Sequence, residues 1–190
     1  MVNDFYSSIK KALDEVDGEV VDKVYKEIST YQQMPSVETY EDLGRPGRVF
    51  IIGNGGSCAI AEHISTDLNK RCKVKAHTLS NNSLATCLAN DYGYINTLSK
   101  WMELKEFNKD DFLIAISSSG KSNNILNAIQ HAKNNFGSVF AIFGMDGVLD
   151  IGEESTIESY FIHIDSINYG VIELTTEIIL HGIVEDLVLK

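Results

Sequence analysis

The sequence predicts an α/β protein: a three-layer αβα fold with a central five-stranded parallel sheet of the doubly wound, flavodoxin-like kind, preceded by N-terminal helices. Three observations carry this. Five short apolar runs rich in Val, Ile and Phe have the look of strands buried on both faces. Stretches of helical periodicity separate most of them, which implies parallel pairing. The glycine- and serine-rich turns follow the first and third runs, where ligands bind in such sheets.

Residues 1–33 place Phe5, Ile9, Leu13, Val16, Val20, Val24 and Ile28 at helical spacing with charge between them, and Gly18 is expected to split them into two helices. MPSVETYEDLGRPG at 34–47 reads as a partly irregular connector. The strands are expected at RVFIIG (48–53), VKAHTL (74–79), DFLIAI (111–116), SVFAIFG (138–144) and SYFIHID (159–165). Helices are expected over 58–70, over 83–107 in at least two pieces, and over 122–135. VIELTTEIILHGIVEDLVLK closes the chain as one long helix. The whole of 1–190 is expected to form a single domain, with 1–47 a helical extension and connector and 48–190 the αβα core.

Composition narrows the function. A length of 190 residues, 44% hydrophobic and 23% charged, suits one well-cored globular domain. A net charge of -11 argues against nucleic acid as a partner, which needs a basic face. It leaves room for a phosphorylated small molecule, since backbone N–H groups at helix N-termini hold phosphate. Cys58, Cys72 and Cys87 form no C-x-x-C pair, which points to a reducing, cytoplasmic setting. The N-terminus is too charged for a leader, and no run reaches the roughly 18 apolar residues of a membrane helix.

GNGGS at 53–57 follows the first strand; its glycines suit either a tight turn or a close approach of ligand to backbone. Ser117, Ser118, Ser119 and Ser122 offer four hydroxyls beside a helix N-terminus, of which capping explains one. AISSSGKS at 115–122 lacks only the first glycine of a phosphate-binding G-x-x-x-x-G-K-[ST] loop. The strand runs on through Ile116, however, and leaves too short a loop to wrap a polyphosphate, so no nucleotide cofactor is expected.

His63 and Asp67 share one helix face at i and i+4, where they can reach one metal ion or one substrate carbon, or form an ordinary solvated contact. Glu173, Glu177 and His181 form a similar stripe on the last helix. Asn90 and Asp91, in NDYG, read locally as a turn, and His77, His131 and His163 as structural residues.

Together, GNGGS, the helix with A-x-H, NDYG, the S-x-S-G-x-S loop and the C-terminal His resemble the sugar isomerase (SIS) family from about residue 48 to 187. Within it they are most similar to the phosphoheptose isomerases, which interconvert sedoheptulose 7-phosphate and D-glycero-D-manno-heptose 7-phosphate. The resemblance implies that Asn54, Gly55, Gly56, Asn90 and Asp91 contact the sugar, and that Ser117, Ser118, Ser119 and Ser122 hold the phosphate. It implies a divalent metal, commonly zinc and one per subunit, on His63, Asp67, Glu173 and His181, with Glu173 also touching substrate. Asp67 and His181 then serve as acid and base, and Arg71 as a phosphate or oligomer contact. Such proteins are usually homotetramers with sites near subunit boundaries.

The chain departs from that pattern. The family has Glu at Asp67, Gln at Glu173, and Arg-Ile-Gln-Glu where this chain has Val171-Ile172-Glu173-Leu174. On one straight helix Glu173 and His181 lie about 12 Å apart along the axis, so Glu177 is the easier co-ligand by geometry while the resemblance selects Glu173. An isomerase reading needs a base near carbon, an acid near oxygen and stabilisation of an enediolate. A different phosphosugar, or a non-catalytic binding protein on the same fold, are the alternatives.

Overall fold

The computed structural model describes residues 2–32, 47–147 and 158–189. The connector expected at 34–47 falls almost wholly outside them. Five strands, β1 (Val49–Ile52), β2 (Ala76–His77), β3 (Phe112–Ser117), β4 (Ser138–Gly144) and β5 (Ser159–Ile164), form one parallel sheet in the order β2-β1-β3-β4-β5. The helices are α1 (Val2–Asp14), α2 (Gly18–Ser29), α3 (Gly56–Arg71), α4 (Asn82–Tyr92), α5 (Thr97–Leu104), α6 (Asn123–Asn134) and α7 (Tyr169–Val188).

Alternate residues of each buried strand feed opposite faces, which is why the runs lack polar alternation. Val49, Ile51, Phe112, Ile114, Ile116, Phe140 and Ile142 pack with α1, α2, α3 and α7. Phe50, Ile52, Leu113, Ala115, Val139 and Ala141 pack with α4, α5 and α6. The result is the expected three-layer αβα fold.

Local residues set the element boundaries. The N-terminal stretch divides into two helices as expected, with α2 opening at Gly18 because Asp17 caps it through Glu19 N and Val20 N. The stretch VKAHTL yields only a two-residue strand, at the edge of the sheet. Gly93, at φ 78°, ends α4 and separates it from α5.

At the opposite end of the sheet from the glycine loop, Arg48 forms a buried pair with Asp111, Nη2 to Oδ2 at 2.6 Å. Asp111 also accepts from Arg48 N, Arg48 Nε and Asn108 N, so the start of β1 is tied to the start of β3.

Candidate functional site

The strand order reverses between β1 and β3, and this is where a doubly wound sheet opens a crevice. Two helices start there. Gly55 caps α3 with φ 55° and ψ −124°, a conformation that favours glycine. Gly120, at φ 62°, turns the chain from β3 toward α6, capped by Ser122. Both N-termini therefore face one crevice and direct their positive dipole ends into it.

A cavity of about 260 Å³ lies between them, lined by Asn54, Gly55, Gly56, Ser117–Ser119, Ser122, Tyr169 and Glu173 among others. All four predicted serines thus share one wall. Ser117 is only 7% exposed and its hydroxyl has no hydrogen-bond partner among the described residues, an orphan that a ligand oxygen would satisfy. Ser122 occupies the cap position without making a side-chain cap bond, so the hydroxyl that capping was expected to use is not spent there. Ser119 Oγ accepts from Lys121 N at 3.2 Å, and Ser118 O accepts from Gly144 N at 3.2 Å, which fixes the loop against β4.

Asn54 is held from two sides. Its amide exchanges hydrogen bonds with Asn124 at 2.9 and 2.8 Å, and its Oδ1 also accepts from Tyr94 Oη at 2.8 Å. Asn54 and Gly55 further border a second cavity of about 150 Å³, walled by Thr78, Leu79, Tyr94, Thr97 and Leu98 among others. Tyr94, Asn124 and Tyr169 were not singled out from sequence. The only local trace of Asn124 was the Ser-Asn-Asn run at a helix start, and nothing local marked the tyrosines.

Helices α3 and α7 lie side by side. A Cβ on Gly56 would come within 2.5–2.6 Å of the carboxylate of Glu173, so glycine here admits an acidic side chain to the start of α3. Farther along, the rings of His63 and His181 are 5.0 Å apart. His63, Asp67 and His181 each offer a donor atom within 4.8 Å of the others. That is close to the spread that donors about 2 Å from one ion can span, and two imidazoles with a carboxylate suit zinc. Neither Glu173 nor Glu177 belongs to this cluster. Glu173 instead lines the serine cavity, as the rise along a straight α7 dictates.

Below the triad, Arg71 Nη1 lies 3.4 Å from Asp67 Oδ2 and its fork grips Glu185. The paired charges raise the Arg71 pKa and lower that of Glu185, with the hydrogen bonds between them the largest cause. Asn90 and Asp91 are exposed at the end of α4; Asn90 Nδ2 donates to Asp91 Oδ1 at 3.0 Å, and neither residue lines the two cavities.

A family profile described as the SIS domain matches residues 35–144. A phosphoheptose isomerase of Cytophaga hutchinsonii is 40% identical over 110 residues, which cover 55% of this chain and 57% of that protein. One of Helicobacter pylori is 36% identical over 131 residues, 64% of this chain and 68% of that protein. The chain therefore aligns with between about half and two thirds of these relatives' lengths. The solved structure of a phosphoheptose isomerase from Francisella tularensis superposes with a TM-score of 0.82 at 24% identity, covering 100% of this chain and 97% of that one. With more than half its length matched by that profile and its fold shared throughout, the chain belongs to the SIS domain family.

Proposed function

We propose that the chain is an aldose–ketose isomerase acting on a phosphosugar, with sedoheptulose 7-phosphate and D-glycero-D-manno-heptose 7-phosphate as the pair interconverted. The observation that carries this reading is the unpartnered Ser117 hydroxyl in a cavity between the N-termini of α3 and α6, with a His–Asp–His cluster farther along α3 where it meets α7. The serines and the free amides of α6 anchor the phosphate, and Asn54, Gly55 and Gly56 admit the sugar. Asp67 takes the proton from the carbon beside the carbonyl, and His181 moves a proton at the oxygens. His63, Asp67 and His181 would hold a divalent cation, zinc by donor set and one per subunit, which supplies Lewis-acid polarisation of the sugar oxygens when bound. Glu173 acts from the substrate side of the cavity instead of as a fourth ligand. Asn90 and Asp91 have no role in this reading within one chain.

The reaction is internally redox-balanced and calls for no nucleotide. Residues 1–190 function as one SIS unit in a homotetramer with sites near subunit boundaries; Leu174 and Ile178, exposed on α7 beside Gly182, support such a contact. A cytoplasmic setting is supported by three unpaired thiols, and no helix among the described residues is long and apolar enough to cross a membrane.

A related substrate is the second reading, favoured by the Glu173 carboxylate in the cavity. Proton NMR with sedoheptulose 7-phosphate in D₂O separates the two. Aldose signals carrying solvent deuterium at C2, lost on chelation and restored by zinc, are expected. No turnover with any divalent cation removes that substrate and leaves another phosphosugar or a binding role. Retained turnover in Asp67→Asn would take Asp67 out of the base role.

A further inference from the structure

Arg71 is not one of the triad, yet it touches it. Nη1 donates to Glu185 Oε1 at 2.7 Å and Nη2 to Oε2 at 2.8 Å, a two-point contact between the ends of α3 and α7. Nη1 also approaches Asp67 Oδ2 at 3.4 Å, and that same oxygen lies 3.9 Å from His63 Nε2. Asp67 is one helical turn from His63, and Glu185 one turn from His181. The guanidinium thus stands between two carboxylates, each next to a triad histidine, and it holds Glu185 more closely than Asp67.

We infer that the Arg71–Glu185 clamp sets the cation affinity of the His63–Asp67–His181 cluster, with Arg71 a positioning residue that keeps Glu185 away from the site and is itself kept off Asp67 by Glu185. The inference rests on reading the cluster as a divalent-cation site. Its logic is electrostatic. Without Glu185, the guanidinium has Asp67 as its remaining anionic partner here, and the oxygen turned toward His63 is occupied. Without Arg71, a positive charge leaves the neighbourhood of the bound cation, and Glu185 is released one turn from His181. The two single changes therefore act in opposite directions. A clamp that merely braced the two helices would weaken binding in both cases.

The test is zinc affinity, measured by competition with a chromophoric chelator on the full chain, for wild type, Arg71→Gln, Glu185→Gln and the double variant. A unit charge about 6 Å from a dication, screened as in water, alters affinity about tenfold. Glu185→Gln is expected to bind zinc about tenfold more weakly and Arg71→Gln about tenfold more tightly. The double variant, which removes both charges, is expected within about threefold of wild type. Both side chains are partly exposed, at 33% and 55%, so the variants are expected to fold, and thermal unfolding without zinc checks this. Equal weakening in both single variants, or no change in either, overturns the inference while leaving the cation site standing. Failure of the wild type to bind zinc overturns the site and the inference together.

Discussion

Ser117→Ala separates stability from function in opposite directions. Ser117 ends β3, a strand flanked by β1 and β4, and its hydroxyl is buried without a partner among the described residues. Leaving a hydroxyl so stranded costs about 1–3 kcal/mol. Alanine keeps the Cβ and deletes only the oxygen, so the gain is reduced by the small void and should settle near 1 kcal/mol. For a chain of this size that raises Tm by about 2–4 °C. The same oxygen, if it donates to a phosphate, supplies a charge-assisted bond of about 1.5–3 kcal/mol. Its loss should lower kcat/KM by about 10- to 100-fold, chiefly through KM, because the phosphate is remote from the reacting carbons. Thr175→Val is the control. Thr175 is 0% exposed, carries an equally orphaned hydroxyl and lines neither cavity, so it should gain similar stability with unchanged kinetics. A destabilised Ser117→Ala enzyme with normal KM would refute the reasoning.

Gly56→Ala should keep the fold and its circular dichroism, but its Cβ displaces the Glu173 carboxylate, and turnover should drop by more than about tenfold. Asp111→Ala strands Arg48 in the interior; urea unfolding should reveal a loss of about 3–5 kcal/mol. The acid limb of stability carries the Arg71 clamp. Glu185 has a folded-state pKa below its ordinary 4.5, so its contribution is present above that value and lost as the pH falls through the lower one. The Tm difference between wild type and Glu185→Gln should accordingly stay level on the neutral side and vanish in acid.

What the sequence disclosed and what it hid follow from how local each signal is. Phe112 to Ile116 is buried on both faces and so lacks polar alternation; its short length and its Ile and Phe content are what mark it as a strand. The edge strand was overestimated because the apolar Val74 and Leu79 pack into the two cores from outside the two-residue ladder. The i,i+4 spacing of His63 and Asp67 was visible, since one turn of helix places them together whatever the fold. Their meeting with His181 depends on α3 and α7 packing side by side, and the Arg71–Glu185 contact joins residues 114 positions apart with no local mark. Spacing along one helix leaves Glu173 and Glu177 as rival ligands, whereas neither joins the His–Asp–His cluster and Glu173 lies against Gly56 in the serine cavity.

That last contact also bears on the size of the ligand. Glu173 meets α3 at Gly56, while His181 meets it at His63, seven residues on. At 1.5 Å per residue the start of α3, which borders the serine cavity, and the His–Asp–His cluster are about 10 Å apart along the helix. A two- or three-carbon phosphate anchored by the serines would leave its carbonyl short of Asp67. A chain of several carbons, phosphorylated at one end and reactive at the other, reaches both. With the phosphate on the serines as proposed, this separation selects for length, and a series of aldose and ketose phosphates of increasing chain length should show kcat/KM rising steeply once the carbonyl reaches the cluster. Equal turnover of a three-carbon and a seven-carbon substrate would mean that the serine cavity does not hold the phosphate.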